Sequence, residues 1–203
     1  MAHRKYELRK RADRQEETRL RIVAAAMELH GTVGPLATTV SAVAQRAGVE
    51  RLTVYRHFPT TEDLFNSCGA LFMETYPLPR LIPEDQPAAG PDRLRATLQA
   101  LYPYYEDLRD YLEVFLRDVE HIPHIRAMVD HFIFSEMRRA HDWILAGFED
   151  ADTSTLSAVV GQAIDFWGWR SWRQQSLSNG QVIDLAASTA TQLAARPHPA
   201  AVT

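Results

Sequence analysis

The sequence predicts an all-α protein assembled from amphipathic helices. Apolar residues recur at spacings of three and four along most of the chain, as in Ile22, Ala25, Ala26 and Leu29, or Leu94, Leu98 and Leu101. Glycine, proline and hydroxyl residues fall between these runs, where helices must stop and restart. With 203 residues, 46% of them hydrophobic, the chain can bury a sizeable core, as one domain or as a small one joined to a larger one.

The amino terminus carries His3, Arg4, Lys5, Arg9, Lys10, Arg11 and Arg14, including both lysines of the chain. Residues 1–14 read as a basic arm, either lying along a polyanion or fraying in solvent. From Gln15 the pattern turns helical, and Gly31, Gly34 and Pro35 close that helix. His30 ends its apolar stripe and reads as a packed core histidine.

Thr39 can cap the next helix, because its hydroxyl can accept an amide hydrogen bond left open by the first turn. Val40, Val43, Ala44 and Ala47 then make one inward stripe, and Gly48 supplies the left-handed backbone that ends it. The chain restarts at Val49. Val54 and Phe58 are the buried residues of the second short helix. Arg51, Leu52, Thr53, Tyr55, Arg56 and His57 are left over, together with Thr39 and Ser41 on the first. Cations, hydroxyls and flat rings on a short exposed surface suit a DNA groove. Charge agrees with that. The first sixty residues carry eleven Lys/Arg against six Asp/Glu, whereas the rest carry eleven against twenty, a polyanion-binding module on an acidic body.

The segment AVAQRAGVERLTVYRHFPTTEDL (residues 42–64) closely resembles the helix-turn-helix signature of the TetR family of ligand-responsive transcription regulators. RIVAAAMELHGTVGPLATTV (residues 21–40) resembles the family's first helix and loop. The likeness spans about Arg19 to Leu64. It implies a three-helix DNA-binding domain over residues 15–61, and a helical ligand-binding and dimerisation domain over 62–203. Two departures are visible: no lysine stands near Thr61, where family members commonly place one against a phosphate, and Glu50 and Leu52 replace small or polar residues.

Thr60 or Thr61 caps the helix that begins at Glu62. Between Tyr76 and Pro91 lie five of the eleven prolines, so a helix cannot pass and a long ordered connection is expected. Three amphipathic helices follow over 92–150: Leu94 to Tyr105, Leu112 to Val119, and a continuous one from Ile125 to Ile144. Asp152 or Thr153 starts one helix reading STLSAVVGQAIDFWGWRSWR, and Ser178 or Asn179 starts the last. Counted along that penultimate helix, Leu156, Val159, Val160, Ala163 and Trp167 share one face, and Gly161 and Gly168 nearly share an azimuth.

The resemblance implies that the central helices wall a ligand cavity. Tyr102, Tyr105, Phe115, Phe132 and Trp167 are the candidates, because large rings with a flat or polar edge suit an apolar or semi-polar small molecule. It also implies that the last two helices form a four-helix dimer interface, and hence a palindromic operator in double-stranded DNA. The expected function is a homodimeric repressor released from DNA by an effector. The alternatives are a helical cytosolic enzyme and a ligand-insensitive DNA-binding protein.

Other chemistry finds little support in the residues. Cys68 is the sole cysteine, so no intrachain disulfide can form. His121, His124, His131 and His141 lack the spacing that presents two metal ligands from one helix. No phosphate loop, nucleophile elbow or Cys-His pairing is present, so no cofactor, metal or catalytic residue is expected. With no apolar leader and no run of eighteen apolar residues, the chain is expected to be cytoplasmic and away from membranes.

Overall fold

A computed structural model describes residues 2–148 and 153–195, and within them every regular element is a helix. Asp152, one of the two expected helix starts, lies outside the described residues, as do the side chains of residues 2–5, Leu8 and Thr153 and the tail after Ala195. The helices are α1 (Ala2–Thr32), α2 (Val40–Ala47), α3 (Arg51–His57), α4 (Thr61–Thr75), α5 (Gly90–Asp107), α6 (Arg109–Val119), α7 (Pro123–Val129), α8 (Ser135–Leu145), α9 (Thr153–Ile164), α10 (Phe166–Gln174) and α11 (Asn179–Ala194). Their contacts divide the chain into two compact units. One is Met1–Pro77 with Asp110–Met128, the other Leu78–Arg109 with Val129–Thr203.

In the first unit, Ile22, Val23, Ala25 and Ala26 of α1 meet Val43, Ala44 and Ala47 of α2, Val54 and Phe58 around α3, and Leu64 and Cys68 of α4. Small residues in α2 let the short helices approach α1 closely, and burial of this cluster supplies the main driving force. Most of α6 and α7 also belong here. Phe115 stacks on Phe65 of α4 with ring centroids 6.2 Å apart, and Tyr111 stacks on Phe72 at 4.8 Å. Gly31 makes room for Tyr111, since a Cβ there would lie 1.9 Å from its ring.

The basic segment differs from the expected arm, because α1 runs unbroken from Ala2. Residues 9–14 read RKRADR, mostly good helix formers with no glycine or proline to stop the helix.

The second unit is built on α5, whose Leu94, Leu98 and Leu101 are fully buried. Val182, Ala186 and Ala190 of α11 are buried as well, and α11 packs on α5, α9 and α10. The proline-rich connection is ordered against this unit: Thr97 Oγ1 donates to the Leu81 carbonyl at 2.9 Å and Arg93 Nε to the Pro87 carbonyl at 2.8 Å.

Two expected helices are interrupted. The stretch from Ile125 to Ile144 contains a π-helical turn at Asp130–Phe134, whose wider winding breaks the stripe counted at α-helical spacing. The penultimate helix breaks at Asp165, whose backbone is extended (φ −77°, ψ 140°) and whose carboxylate caps α10 by accepting from the amides of Trp167 and Gly168. The break resets the phase. Phe166 and Trp169 turn inward at 2% and 1% exposure, and Trp167 turns outward at 41%. Gly161 and Gly168 therefore do not share a stripe. Gly168 is small for a local reason: a Cβ there would lie 2.0 Å from the Gln162 carbonyl oxygen.

Candidate nucleic-acid interface

The exposed face of α3 rests on a fixed base. Thr39 Oγ1 accepts from the Ala42 amide at 3.1 Å, which starts α2 and leaves the hydroxyl proton free to donate outward. Gly48 ends α2 in the left-handed region at φ 66°, with its own amide bonding Gln45 O and the Val49 amide bonding Ala44 O. This pair of bonds is the Schellman arrangement, and it fixes the angle at which α3 departs. Val54 and Phe58, at 1% and 3% exposure, anchor α3.

What remains outward is Arg51, Leu52, Tyr55 and Arg56, with Thr53 and His57 half-buried; Ser41 and Thr39 are exposed on and beside α2. Leu52 is 76% exposed. Among the described residues, Arg51, Tyr55 and Arg56 have no hydrogen-bond or ion-pair partner. Neighbouring cations are already engaged. Arg46 pairs with Glu28 at 2.5 Å, and Arg19 lies over the Phe58 ring at 5.3 Å while donating to Ser67 Oγ at 3.0 Å. His57 is held below its ordinary pKa by burial first, then by Arg56 and Arg19, so near neutral pH it presents a neutral imidazole.

Behind α3, Thr60 and Asp63 form a capping box at the start of α4, with Asp63 N to Thr60 Oγ1 at 3.0 Å and Thr60 N to Asp63 Oδ2 at 3.2 Å. Asp63 thus places a carboxylate at the helix start, where an added phosphate would meet repulsion.

The expected small-molecule residues lie in different surroundings. Tyr102 and Tyr105 are buried in the second unit, and their hydroxyls donate to the carbonyls of Ala163 (3.0 Å) and Ile164 (2.7 Å). These carbonyls lie where α9 stops, so the two phenols satisfy acceptors that the break at Asp165 leaves open. Phe132 and Trp167, in the same unit, are exposed at 58% and 41%. Phe115 is in the first unit, on Phe65 and Tyr111. Phe166 and Trp169, absent from the expected set, pack on Tyr105 with centroids 5.4 and 5.6 Å away. Asp165, a good N-cap residue, was the available signal.

Ser157, His141 and Asp142 stand in the order of a nucleophile, base and acid, with His141 Nε2 3.2 Å from Ser157 Oγ and Nδ1 3.3 Å from Asp142 Oδ1. Nε2 is also 3.1 Å from the Ser157 carbonyl oxygen. Ser157 therefore meets the same ring nitrogen of His141 with both its hydroxyl and its carbonyl oxygen. The contact ties α8 to α9. Among the described residues, no three His, Cys, Asp or Glu side chains are grouped as metal ligands, and no helix is long and apolar enough to cross a membrane.

Comparison with known proteins agrees with this geometry. Residues 22–68 match the family described as "Bacterial regulatory proteins, tetR family". A TetR-like transcriptional regulator from Rhodococcus sp. RHA1 superposes with a TM-score of 0.59 at 19% identity, covering 88% of this chain and 97% of that one. A TetR family transcriptional regulator from Thermus thermophilus gives 0.53 at 18%, covering 88% and 96%. A TetR transcription regulator from Haloarcula marismortui gives 0.55 at 16%, covering 88% and 97%. At such identities the structural likeness is one of fold. No curated protein matches the sequence.

Proposed function

We propose, from the premise that this is a helix-turn-helix DNA-binding transcription regulator of the TetR family, that it acts as a homodimeric repressor released from a palindromic operator by a small molecule. The observation that carries the reading is the α3 surface, where unpartnered Arg51, Tyr55 and Arg56 stand on a rigid apolar base. Arg51 and Thr53, at the start of α3, are assigned to base edges with Ser41; Tyr55, Arg56, His57 and Thr39 are assigned to phosphates. DNA reading belongs to residues 15–61, and effector binding and dimerisation to 62–203.

Dimerisation is supported by Trp167 on α10 and Leu185 on α11, large apolar side chains left 41% and 46% exposed. A two-fold contact would cover both copies of each. For the effector we retain Tyr102, Tyr105, Phe132 and Trp167, all in the second unit, with Tyr102 and Tyr105 as the polar anchors. An effector that competes for their hydroxyls would act on the α9–α10 break. It can release DNA only insofar as it binds the non-DNA conformation more tightly.

The test is a mobility shift on a duplex selected from a randomised library, run with and without a metabolite library. Retarded DNA freed by one compound class supports the whole reading. Retardation that no compound relieves leaves a regulator without an effector.

A further inference from the structure

The loop between α1 and α2 fixes where the DNA-reading helices begin, and its packing is uneven. Val33 and Leu36 are 45% and 57% exposed, so burial of this loop rests on Gly34 and Pro35 between them. Local bonds hold part of it: Val33 N and Gly34 N donate to Leu29 O, and Thr38 N and Oγ1 donate to Gly34 O. The amide of Leu36 finds its partner far along the chain, in the carboxylate of Asp118 on α6, at 3.1 Å to Oδ2.

Asp118 is 2% exposed. Its Oδ1 accepts from Arg117 Nε at 2.8 Å, and Arg117 Nη2 reaches the Val33 carbonyl at 3.3 Å. Two adjacent residues of α6 therefore satisfy an amide and a carbonyl of the same loop. Gly34 is fitted to the carboxylate: its φ is +96°, and a Cβ there would lie 2.2 Å from Asp118 Oδ2. A buried carboxylate is costly unless paired and hydrogen-bonded. Here both conditions are met at the one loop that sets the register of α2 and α3.

We infer that Asp118 is a positioning residue for DNA binding, holding the α1–α2 loop so that α3 is presented in one orientation. This rests on the reading that α3 enters the groove. Asp118 touches no surface assigned to DNA, so it acts through Leu36 and the helix start beyond it. Without its carboxylate the helix-turn-helix keeps its apolar core but samples several placements on α1. Affinity for a specific site then falls in proportion to the fraction of time spent in the competent one. Binding to random duplex, which depends on phosphates, tolerates those placements.

The test compares Asp118→Ala, Asp118→Asn and wild type by fluorescence anisotropy on two duplexes, the library-selected site and a random sequence of equal length, with circular dichroism to establish folding. For Asp118→Ala, selected-site affinity is expected to fall about 5-fold or more and random-duplex affinity to change by less than about 2-fold. Asp118→Asn keeps an oxygen for the Leu36 amide and is expected to recover much of the loss. If Asp118→Ala does not fold, Asp118→Asn decides alone, through a smaller loss confined to the selected site. Unchanged selected-site affinity, or equal losses on both duplexes, overturns the inference. Failure of the wild type to bind either duplex instead overturns the DNA-binding reading beneath it.

Discussion

The hydroxyl of Tyr105 donates to the carbonyl oxygen of Ile164 at 2.7 Å, at the last residue of α9. Both groups are buried, and Tyr102 does the same for Ala163 one residue earlier. Tyr105→Phe keeps the ring and strands the carbonyl. It should lower stability in urea unfolding by about 1–3 kcal/mol. A variant as stable as wild type would mean that water takes over the phenol's part.

His30 sets a pH dependence. It is buried, lies against the Phe65 ring at 5.1 Å, and desolvation lowers its pKa to about 4. Between pH 6.5 and 4 the unfolded chain binds a proton that the folded chain refuses. The neutral histidine therefore costs nothing above about pH 6.5, and stability falls as the pH drops through that window, by about 3 kcal/mol in total. His30→Phe should flatten the profile there. Asp118 acts lower: Arg117 chiefly holds its carboxyl below the usual range, so its contribution is present above about pH 4 and is lost below. Urea midpoints of both proteins between pH 7 and 4 check the assignment, and parallel profiles would contradict it.

Gly48 tests the hinge between the two short helices. Its φ is 66°, yet a Cβ there would meet nothing within 4 Å. Gly48→Ala should therefore cost only the left-handed strain, about 1–2 kcal/mol by thermal or urea unfolding. Gly48→Asn should cost less, because asparagine tolerates that region. A much larger loss would place something against the turn.

How legible all this was in the sequence depends on the range of the interactions involved. Thr39, Gly48, Val54 and Phe58 could be placed because caps, a left-handed stop and a helical stripe are decided within a few residues. The outward α3 residues followed by subtraction. Asp165 offers a cap, but the break there is not decided locally, because the donors that make it tolerable, Tyr102 and Tyr105, come about sixty residues earlier. One missed cap rotated the rest of the stripe, so Trp167 was expected where Trp169 stands. The ring surface of Phe115 was read as part of the body, whereas its partners Phe65 and Tyr111 put it in the first unit. The tie from Asp118 to Leu36 spans 82 positions and leaves no local pattern.

The most direct test of the central claim, that α3 reads DNA, is Arg51→Ala measured by anisotropy on the selected site and on random duplex. Arg51 is exposed and unpartnered, so its loss leaves the fold intact. A loss of about 1–3 kcal/mol, roughly 5- to 150-fold, is expected on the selected site, with a much smaller change on random sequence. Wild-type affinity of the variant for the selected site would contradict it.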